Sequence, residues 1–195
     1  MDIEFASFPF TIAPGRVMAP RPATEALADA AVARVGNCPA RVADVGTGSG
    51  AIAVSIALRA PAAEVWASDL SECAVRIARR NALRHGVADR VHVVQGDLLD
   101  PLPGSLDVIA ANLPYLPDRL RGTAGYLEYE AEPELAIWAP GDGLAHYRRL
   151  LAGAEQLLAP SGALIVQLHR EVLQAERWEL HRLRNEIERY SLLAA

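Results

Sequence analysis

From Arg41 onward, short apolar and β-branched runs alternate with longer segments whose apolar residues return at helical spacing. The runs predict strands over residues 42–45, 64–68, 91–95, 107–111 and 163–167. The segments between them predict helices. One spans 49–59 and stops ahead of Pro61; a second follows Ser71, whose hydroxyl suits a helix start, and runs to Gly86; a third spans 144–159 and closes at Pro160-Ser161-Gly162. Residues 23–35 read as a further helix bounded by Gly36, and the first twenty residues, rich in proline, glycine and aromatics, as an irregular or hairpin lead-in. Strand and helix in regular alternation build βαβ units, so the expected fold is α/β with a mostly parallel sheet flanked by helices.

Two regions break this rhythm. A long polar stretch, residues 115–143, follows a strand directly and is too long for an idle connection, which makes it a candidate substrate loop or lid. The tail, 171–195, reads either as one long helix or as an antiparallel hairpin of WELHRL and IERYSLL turning at Arg184-Asn185-Glu186; the hairpin, closing the sheet, is the preferred reading. No repeat, low-complexity segment or linker divides the chain. Residues 1–195 are therefore expected to form one domain: a lead-in and first helix (1–40), a core (41–170) and a closing segment (171–195).

Composition narrows the chemistry. With 195 residues, 51% hydrophobic and 22% charged, the chain is long enough to bury a full core without metal or disulfide staples. Cys38 and Cys73 are its two cysteines, with no CxxC spacing, so neither structural zinc nor a secreted disulfide framework is expected and a reducing cytoplasm fits best. The apolar run 51–58 is far too short for a bilayer, and Asp2 and Glu4 stand where an export signal would be basic, so no membrane association is expected. Nineteen arginines against twenty-four acids give a net charge of −5, which argues against a uniformly basic nucleic-acid face. Arg76, Arg79, Arg80 and Arg84 share one helical stretch, read as a solvated face in preference to a local basic patch.

The strongest local signal is Asp44-Val45-Gly46-Thr47-Gly48-Ser49-Gly50, which follows the first predicted strand of the core and opens a helix. Glycines there let the backbone turn tightly and approach a ligand, while the helix N-terminus presents unpaired N–H groups. The spacing is GxGxG, not the GxGxxG of a dinucleotide fingerprint, so a pyrophosphate-binding dehydrogenase is disfavoured. Asp44, Asp69, Asp97 and Asn112 fall at the carboxyl ends of successive strands, the edge where ligands bind in open α/β sheets. Asp69 lies nineteen residues after Gly50, close to the spacing at which an acid meets ribose hydroxyls, and Asp97 beside Gly96 suits an adenine amino group.

Asn112-Leu113-Pro114-Tyr115 ends the fourth strand of the core. An asparagine amide, two carbonyls and an aromatic face can hold a planar NH₂ group, the oxygens accepting its N–H bonds and the ring stacking on it. The lone pair of an amide or aryl amine nitrogen is delocalised, and orienting both N–H bonds toward oxygens helps localise it toward an incoming methyl. No strong base is needed, because the proton can leave after transfer and positioning supplies much of the rate.

Residues 44–50, Asp69, Gly96-Asp97 and Asn112 to Tyr115 resemble the motifs of class I S-adenosylmethionine-dependent methyltransferases, and more narrowly of the HemK-type protein-(glutamine-N5) methyltransferases that modify release factors. Ala19-Pro20-Arg21-Pro22-Ala23-Thr24-Glu25 is similar to the PRPxTE segment of that family, and Glu132-Pro133 and Gly141-Asp142-Gly143-Leu144 to its EP and DGL elements, so the likeness covers roughly residues 17–168. The resemblance implies a Rossmann-like fold with a mostly parallel, seven-stranded sheet, S-adenosylmethionine as cofactor, no metal, and a release factor or other glutamine-containing protein as substrate. By the same resemblance Asp44, Gly46, Thr47, Gly48 and Gly50 form the cofactor turn, Asp69 and Leu70 meet the ribose, and Asp97 and Leu98 border the adenine. Asn112 then stands between cofactor and acceptor; with the Leu113 carbonyl and Tyr115 it holds the substrate amide, while Pro114 fixes the turn.

Three features depart from that family. Leu113 replaces the first proline of NPPY, and NLPY is also similar to the motif of ribosomal RNA adenine dimethyltransferases; ahead of Pro114 it keeps its carbonyl and an extended bias. Gln167-Leu168-His169 stands where the family carries glutamate and glycine. The helical N-terminal recognition domain of full-length bacterial members does not precede these motifs, so a partner is expected to supply recognition or the substrate to differ. Three alternatives stay open: an adenine-N6 methyltransferase acting on RNA or DNA, disfavoured by the acidic charge; a small-molecule methyltransferase using the long loop as an enclosure; and a non-catalytic cofactor-binding subunit. His169 reads as a turn residue before a substrate contact, Glu128, Glu130, Glu132 and Glu134 as a solvated acidic loop before a partner site, Trp66 as core and Trp138 as a possible pocket wall.

Overall fold

A computed structural model describes residues 1–168 and 190–194. The lead-in is a hairpin. Strands β1 (Asp2–Phe5) and β2 (Phe8–Thr11) pair antiparallel around Ala6 and Ser7, both at positive φ (49° and 66°), the primed-turn geometry that matches strand twist. Neither residue favours that backbone, and the turn is steadied by the Ala6 N–H donating to Glu25 Oε1 at 3.1 Å. Phe5 and Phe10 drop from the hairpin into the core, where their rings meet edge to face.

Helix α1 (Pro22–Val35) starts with proline in its first turn, where the missing N–H costs nothing, and stops at Gly36. The sheet then begins with β3 (Ala40–Val45), followed by α2 (Ala51–Arg59), β4 (Ala63–Asp69), α3 (Glu72–Arg84), β5 (Val91–Gln95) and β6 (Leu106–Ala111). After the long loop come α5 (Ala145–Leu157), β9 (Leu158–Leu168) and β10 (Tyr190–Ala194). The strand order is β10-β9-β6-β3-β4-β5, every pair parallel. The chain lays down β3 in the middle, builds outward through β4 and β5, then crosses to β6 on the other side. That reversal opens a crevice at the carboxyl ends of β3 and β6, the general ligand position of such sheets.

Alternation along each strand feeds two cores. Val42, Val65, Val93, Val108 and Ile165 face α1, α2, α3 and the hairpin; Ala43, Val45, Ile109, Leu164 and Val166 face α5 through Leu150 and Ala154. The long loop has a third, small core of Leu116, Tyr126, Ile137 and Trp138, and a two-residue parallel pair, β7 (Leu116–Pro117) with β8 (Trp138–Ala139), ties its ends together next to the four-residue α4 (Glu134–Ile137).

One expectation needs correction. The helix expected over 144–159 ends at Leu157, and the Pro160-Ser161-Gly162 turn lies inside β9. Leu158 pairs with Leu106 and Ala163 with Val108, so residues 159–162 bulge opposite Asp107; a bulge is where a sheet accepts proline, and a Cβ on Gly162 would stand 2.6 Å from the Leu106 carbonyl. The sheet has six strands among the described residues. Of the expected tail hairpin, the IERYSLL arm forms a strand, β10, parallel to β9, and WELHRL lies outside the described residues. Among the described residues no helix is long and apolar enough to cross a membrane.

Candidate functional site

The glycine turn joins β3 to α2 and is organised from beneath. Asp44 is fully buried; its Oδ2 accepts from the Thr47 hydroxyl at 2.6 Å and from the Ala53 N–H at 3.1 Å, clasping the turn to the first turn of α2. Burial, opposed by those two bonds, pushes its carboxyl up to about 6. Above it the N–H groups of Gly46 and Thr47 both donate to the Ser68 carbonyl at 2.9 Å, locking the turn to β4. Gly46, Gly48 and Gly50 all have positive φ (74°, 57° and 79°). Their roles differ. A Cβ on Gly46 would meet Leu113 at 2.8 Å, and one on Gly50 would meet the Ala78 backbone of α3 at 3.0 Å. Gly50 thus serves helix packing, and neither it nor Asp44 reaches the cavity described next; both shape the turn from behind.

A cavity of about 490 Å³, the size range of small-molecule sites, lies over this turn. Gly46, Thr47, Gly48, Asp69, Leu70, Asp97, Leu98, Asn112, Leu113 and Pro114 line it, so most of the residues singled out from sequence converge there. Asp69 accepts from the Gly48 N–H through Oδ2 and from the Ser71 N–H through Oδ1, each at 2.8 Å. Each oxygen keeps a second lone pair, the array that vicinal hydroxyls need. Burial raises this carboxyl, with the two backbone bonds opposing. Leu70 is 58% exposed at the rim. Leu98 holds a left-handed backbone (φ 47°), fixed by the Ser68 hydroxyl donating to its carbonyl at 2.7 Å. Asp97 forms a forked pair with Arg149 of α5 (2.8 and 3.3 Å), a partner that no local pattern predicts.

At the other end of the cavity Asn112 donates through Nδ2 to the Thr24 hydroxyl at 3.3 Å. Leu113 turns its N–H and its carbonyl to one atom: the buried Tyr147 hydroxyl lies 3.0 Å from each, and 2.6 Å from the Gln167 carbonyl. An extended residue presents both groups on one side, as expected ahead of proline. The hydroxyl carries one proton, and the shorter contact gives it to the Gln167 carbonyl, so Tyr147 holds Leu113 through the N–H and the Leu113 carbonyl, assigned from sequence to the substrate amide, stays open to accept. Tyr115 faces away from the large cavity and onto a chamber of about 20 Å³ on the far side of Asn112; burial, with Tyr129 nearby and Arg21 opposing, pushes its hydroxyl up to about 12. Gly143 allows this arrangement, because a Cβ there would stand 2.2 Å from the Tyr115 carbonyl.

Several contributors were invisible in sequence because they act across the fold. Asn81, wholly buried in α3, accepts from the Thr11 N–H and donates to the carbonyls of Thr11 and Ser49, stapling the hairpin and the glycine turn to one helix. His146 lines the large cavity, its imidazole lowered by burial and by Arg149, against Asp97. Thr24 and Arg21, read only as part of a family segment, touch the site directly. Other candidates resolve plainly. Arg76 pairs with Glu72, Arg79 with the Val93 carbonyl and Arg84 with Asp2, which leaves little of a basic patch. Glu128 and Glu132 face Arg21, Glu134 pairs with Arg121, and Glu130 accepts from the Gly122 N–H, so the acidic loop is internally satisfied. Trp138 lines the large cavity, whereas Trp66 packs with Arg41 and His92. His169 lies outside the described residues.

The family model of the methyltransferase small domain matches residues 22–123, which include the glycine turn, Asp69, Asp97 and Asn112 to Tyr115. The chain belongs to this family. Among curated relatives, this methyltransferase domain is 43% identical over 175 residues to a release factor glutamine methyltransferase of Moorella thermoacetica, covering 88% of the chain and 61% of the relative. It is 38% identical over 172 residues to a 4-amino-L-phenylalanine/4-methylamino-L-phenylalanine methyltransferase of Streptomyces pristinaespiralis, covering 84% and 57%. The domain therefore spans about three fifths of the length of these relatives. Among solved structures, a ribosomal protein L11 methylase of Lactobacillus delbrueckii subsp. bulgaricus superposes with a TM-score of 0.62 at 22% identity, covering 90% of this chain and 72% of that one, a likeness of fold.

Proposed function

We propose that the protein is an S-adenosylmethionine-dependent N-methyltransferase whose acceptor is the side-chain amide of a protein glutamine, in a release factor or a protein like it, and that it works in the cytoplasm. The observation that carries this reading is Asn112, which stands between the large cavity and the Tyr115 chamber with its amide held by Thr24. The relatives named as release factor glutamine methyltransferases support the choice of acceptor.

The large cavity fits the cofactor. Asp69 offers paired lone pairs for ribose hydroxyls, Gly46 and Gly48 keep the turn free of side chains, and the rim carries Leu70 for an aromatic base to rest on. When bound, S-adenosylmethionine supplies an electrophilic methyl on a positively charged sulfur. The chain's own part is placement. Asn112 and the Leu113 carbonyl accept the two N–H bonds of the acceptor amide, and Tyr115 bounds its far side. Held this way, the nitrogen lone pair points toward the cofactor cavity, and the displaced proton leaves to water after transfer. Positioning of this kind, without a strong base, accounts for a large part of an enzyme's rate advantage.

The test is to incubate the purified protein and an Asn112→Ala control with methyl-tritiated S-adenosylmethionine and a cell lysate, then divide the labelled material between protease and nuclease. Label released by protease alone, located on glutamine and absent with Asn112→Ala, is the expected result. Label released by nuclease alone would overturn the choice of glutamine. A second reading, transfer to an aromatic amine of a small molecule, draws on the Streptomyces relative; it predicts label in the small-molecule fraction.

A further inference from the structure

The small chamber behind Asn112 has two unusual walls. Gln167, 3% exposed at the end of β9, lines it, and its buried Oε1 has no hydrogen-bond partner. Arg21, at the start of α1, contributes a buried Nε–H that also has none. The rest of the Arg21 guanidinium is accounted for: it stacks 4.4 Å over the Tyr129 ring and reaches Glu128 and Glu132 at 3.7 and 4.0 Å. Buried polar groups are nearly always bonded, so one orphan donor and one orphan acceptor on the same chamber call for a ligand that offers the reverse of each.

A primary carboxamide offers both, in one plane, a carbonyl oxygen beside an N–H. An aromatic amine offers N–H alone and would leave the Arg21 donor unsatisfied. We infer that Arg21 and Gln167 recognise the acceptor amide: the Arg21 Nε–H donates to its carbonyl oxygen, and Gln167 Oε1 shares with Asn112 one of its two N–H bonds as a three-centre hydrogen bond. This rests on the reading proposed above and deepens it, because it states why the acceptor is an amide and not an aniline-type amine; adenine, whose N6–H stands beside N1, is separated by the test. The chamber of about 20 Å³ shares Met18, Thr24, Asn112, Leu113 and Ala136 with the wall of the large cavity, so an amide edge reaching past Asn112 meets both orphan groups. The same geometry gives Gln167 a role in selecting substrate, since the Tyr147 hydroxyl fixes the backbone carbonyl of Gln167 at 2.6 Å and with it the place of the side chain.

The experiment measures methyl transfer from S-adenosylmethionine to three acceptors, a glutamine-containing peptide, 4-amino-L-phenylalanine and adenosine, by the wild type and by Gln167→Met, Gln167→Glu and Arg21→Lys. S-adenosylhomocysteine affinity and thermal melting confirm that each variant folds. The wild type is expected to use the peptide. Gln167→Met removes the acceptor at similar volume, and Arg21→Lys removes the Nε–H while keeping the charge; each should lower kcat/KM for the peptide about tenfold to a hundredfold, the size of a lost hydrogen bond to a charged or buried group, with cofactor affinity intact. Gln167→Glu keeps an acceptor and faces Arg21, so it should retain transfer. Undiminished kcat/KM in both Gln167→Met and Arg21→Lys would overturn the recognition role and leave the glutamine reading standing. Wild-type transfer to 4-amino-L-phenylalanine or adenosine but not to the peptide would overturn both.

Discussion

The Tyr147 hydroxyl on α5 accepts from the Leu113 N–H at 3.0 Å and donates to the Gln167 carbonyl at 2.6 Å. One side chain from the far layer of the fold therefore sets the orientation of the tetrapeptide that separates the two cavities. Burial raises this phenol well above its ordinary range, so it stays a donor throughout the pH range of any assay. Tyr147→Phe leaves the Leu113 N–H buried without a partner. It should cost about 1–3 kcal/mol of stability, the usual penalty for such a group. Because the Leu113 backbone is also freed to turn, kcat should fall more than cofactor affinity. Urea unfolding and steady-state kinetics check the two parts.

Asp69 meets two backbone donors and keeps two lone pairs toward the cavity. Asp69→Asn sets an NH₂ against one of those donors and halves the acceptors left for a ribose. Calorimetry with S-adenosylhomocysteine should show affinity weakened about tenfold to a hundredfold, matching the 1.5–3 kcal/mol of a hydrogen bond to a charged group. Unchanged affinity would remove Asp69 from the cofactor site.

Asp44 predicts a pH dependence of stability. Its folded pKa is raised to about 6 from an ordinary 3.8, so between these values the folded state binds more protons than the unfolded state. Stability from this group is greatest below 3.8 and declines as pH rises to about 6, by up to about 3 kcal/mol for a shift of this size. Asp44→Asn removes the titration. Urea unfolding of both proteins from pH 4 to 7 should therefore show the wild type losing stability with rising pH relative to the variant; parallel curves would contradict the burial of a charged carboxylate.

Gly50 has φ +79° and lies against Ala78. Gly50→Ala adds a left-handed backbone penalty of about 1–2 kcal/mol and an overpacking penalty of similar size. The folded variant should bind S-adenosylhomocysteine as the wild type does, because Gly50 does not line the cavity. Thermal melting together with calorimetry separates this packing role from a direct contact; a loss of affinity without a loss of stability would restore the cofactor role.

The elements around the site were legible because each is written in local periodicity: the β-branched runs of β3 to β6, the Ser71 cap that accepts from the Ala74 N–H, and the glycine turn between β3 and α2. The tetrapeptide at Asn112 was legible for the same reason, as a short polar signal at a strand end. What escaped is of another kind. Asp44 and Asp69 read alike in sequence, both acids at strand ends, yet the first is sealed beneath the turn and the second faces the cavity. Nothing local distinguishes Pro160-Ser161-Gly162 as a helix stop from the same residues as a strand bulge, because the bulge exists only against Leu106 and Val108.

The sequence by itself determined the alternation of strands and helices, the turn that glycine alone can make, and the placing of polar residues at one edge of the sheet, since all follow from side-chain periodicity and backbone sterics within a few residues. Only the tertiary structure decided which side chains share a cavity. Arg21, Thr24, Asn112, Tyr147 and Gln167 come from positions separated by up to 146 residues and are joined by strand order and helix packing. A hydrogen bond depends on position and direction to a fraction of an ångström, and that precision comes from the packed core as a whole.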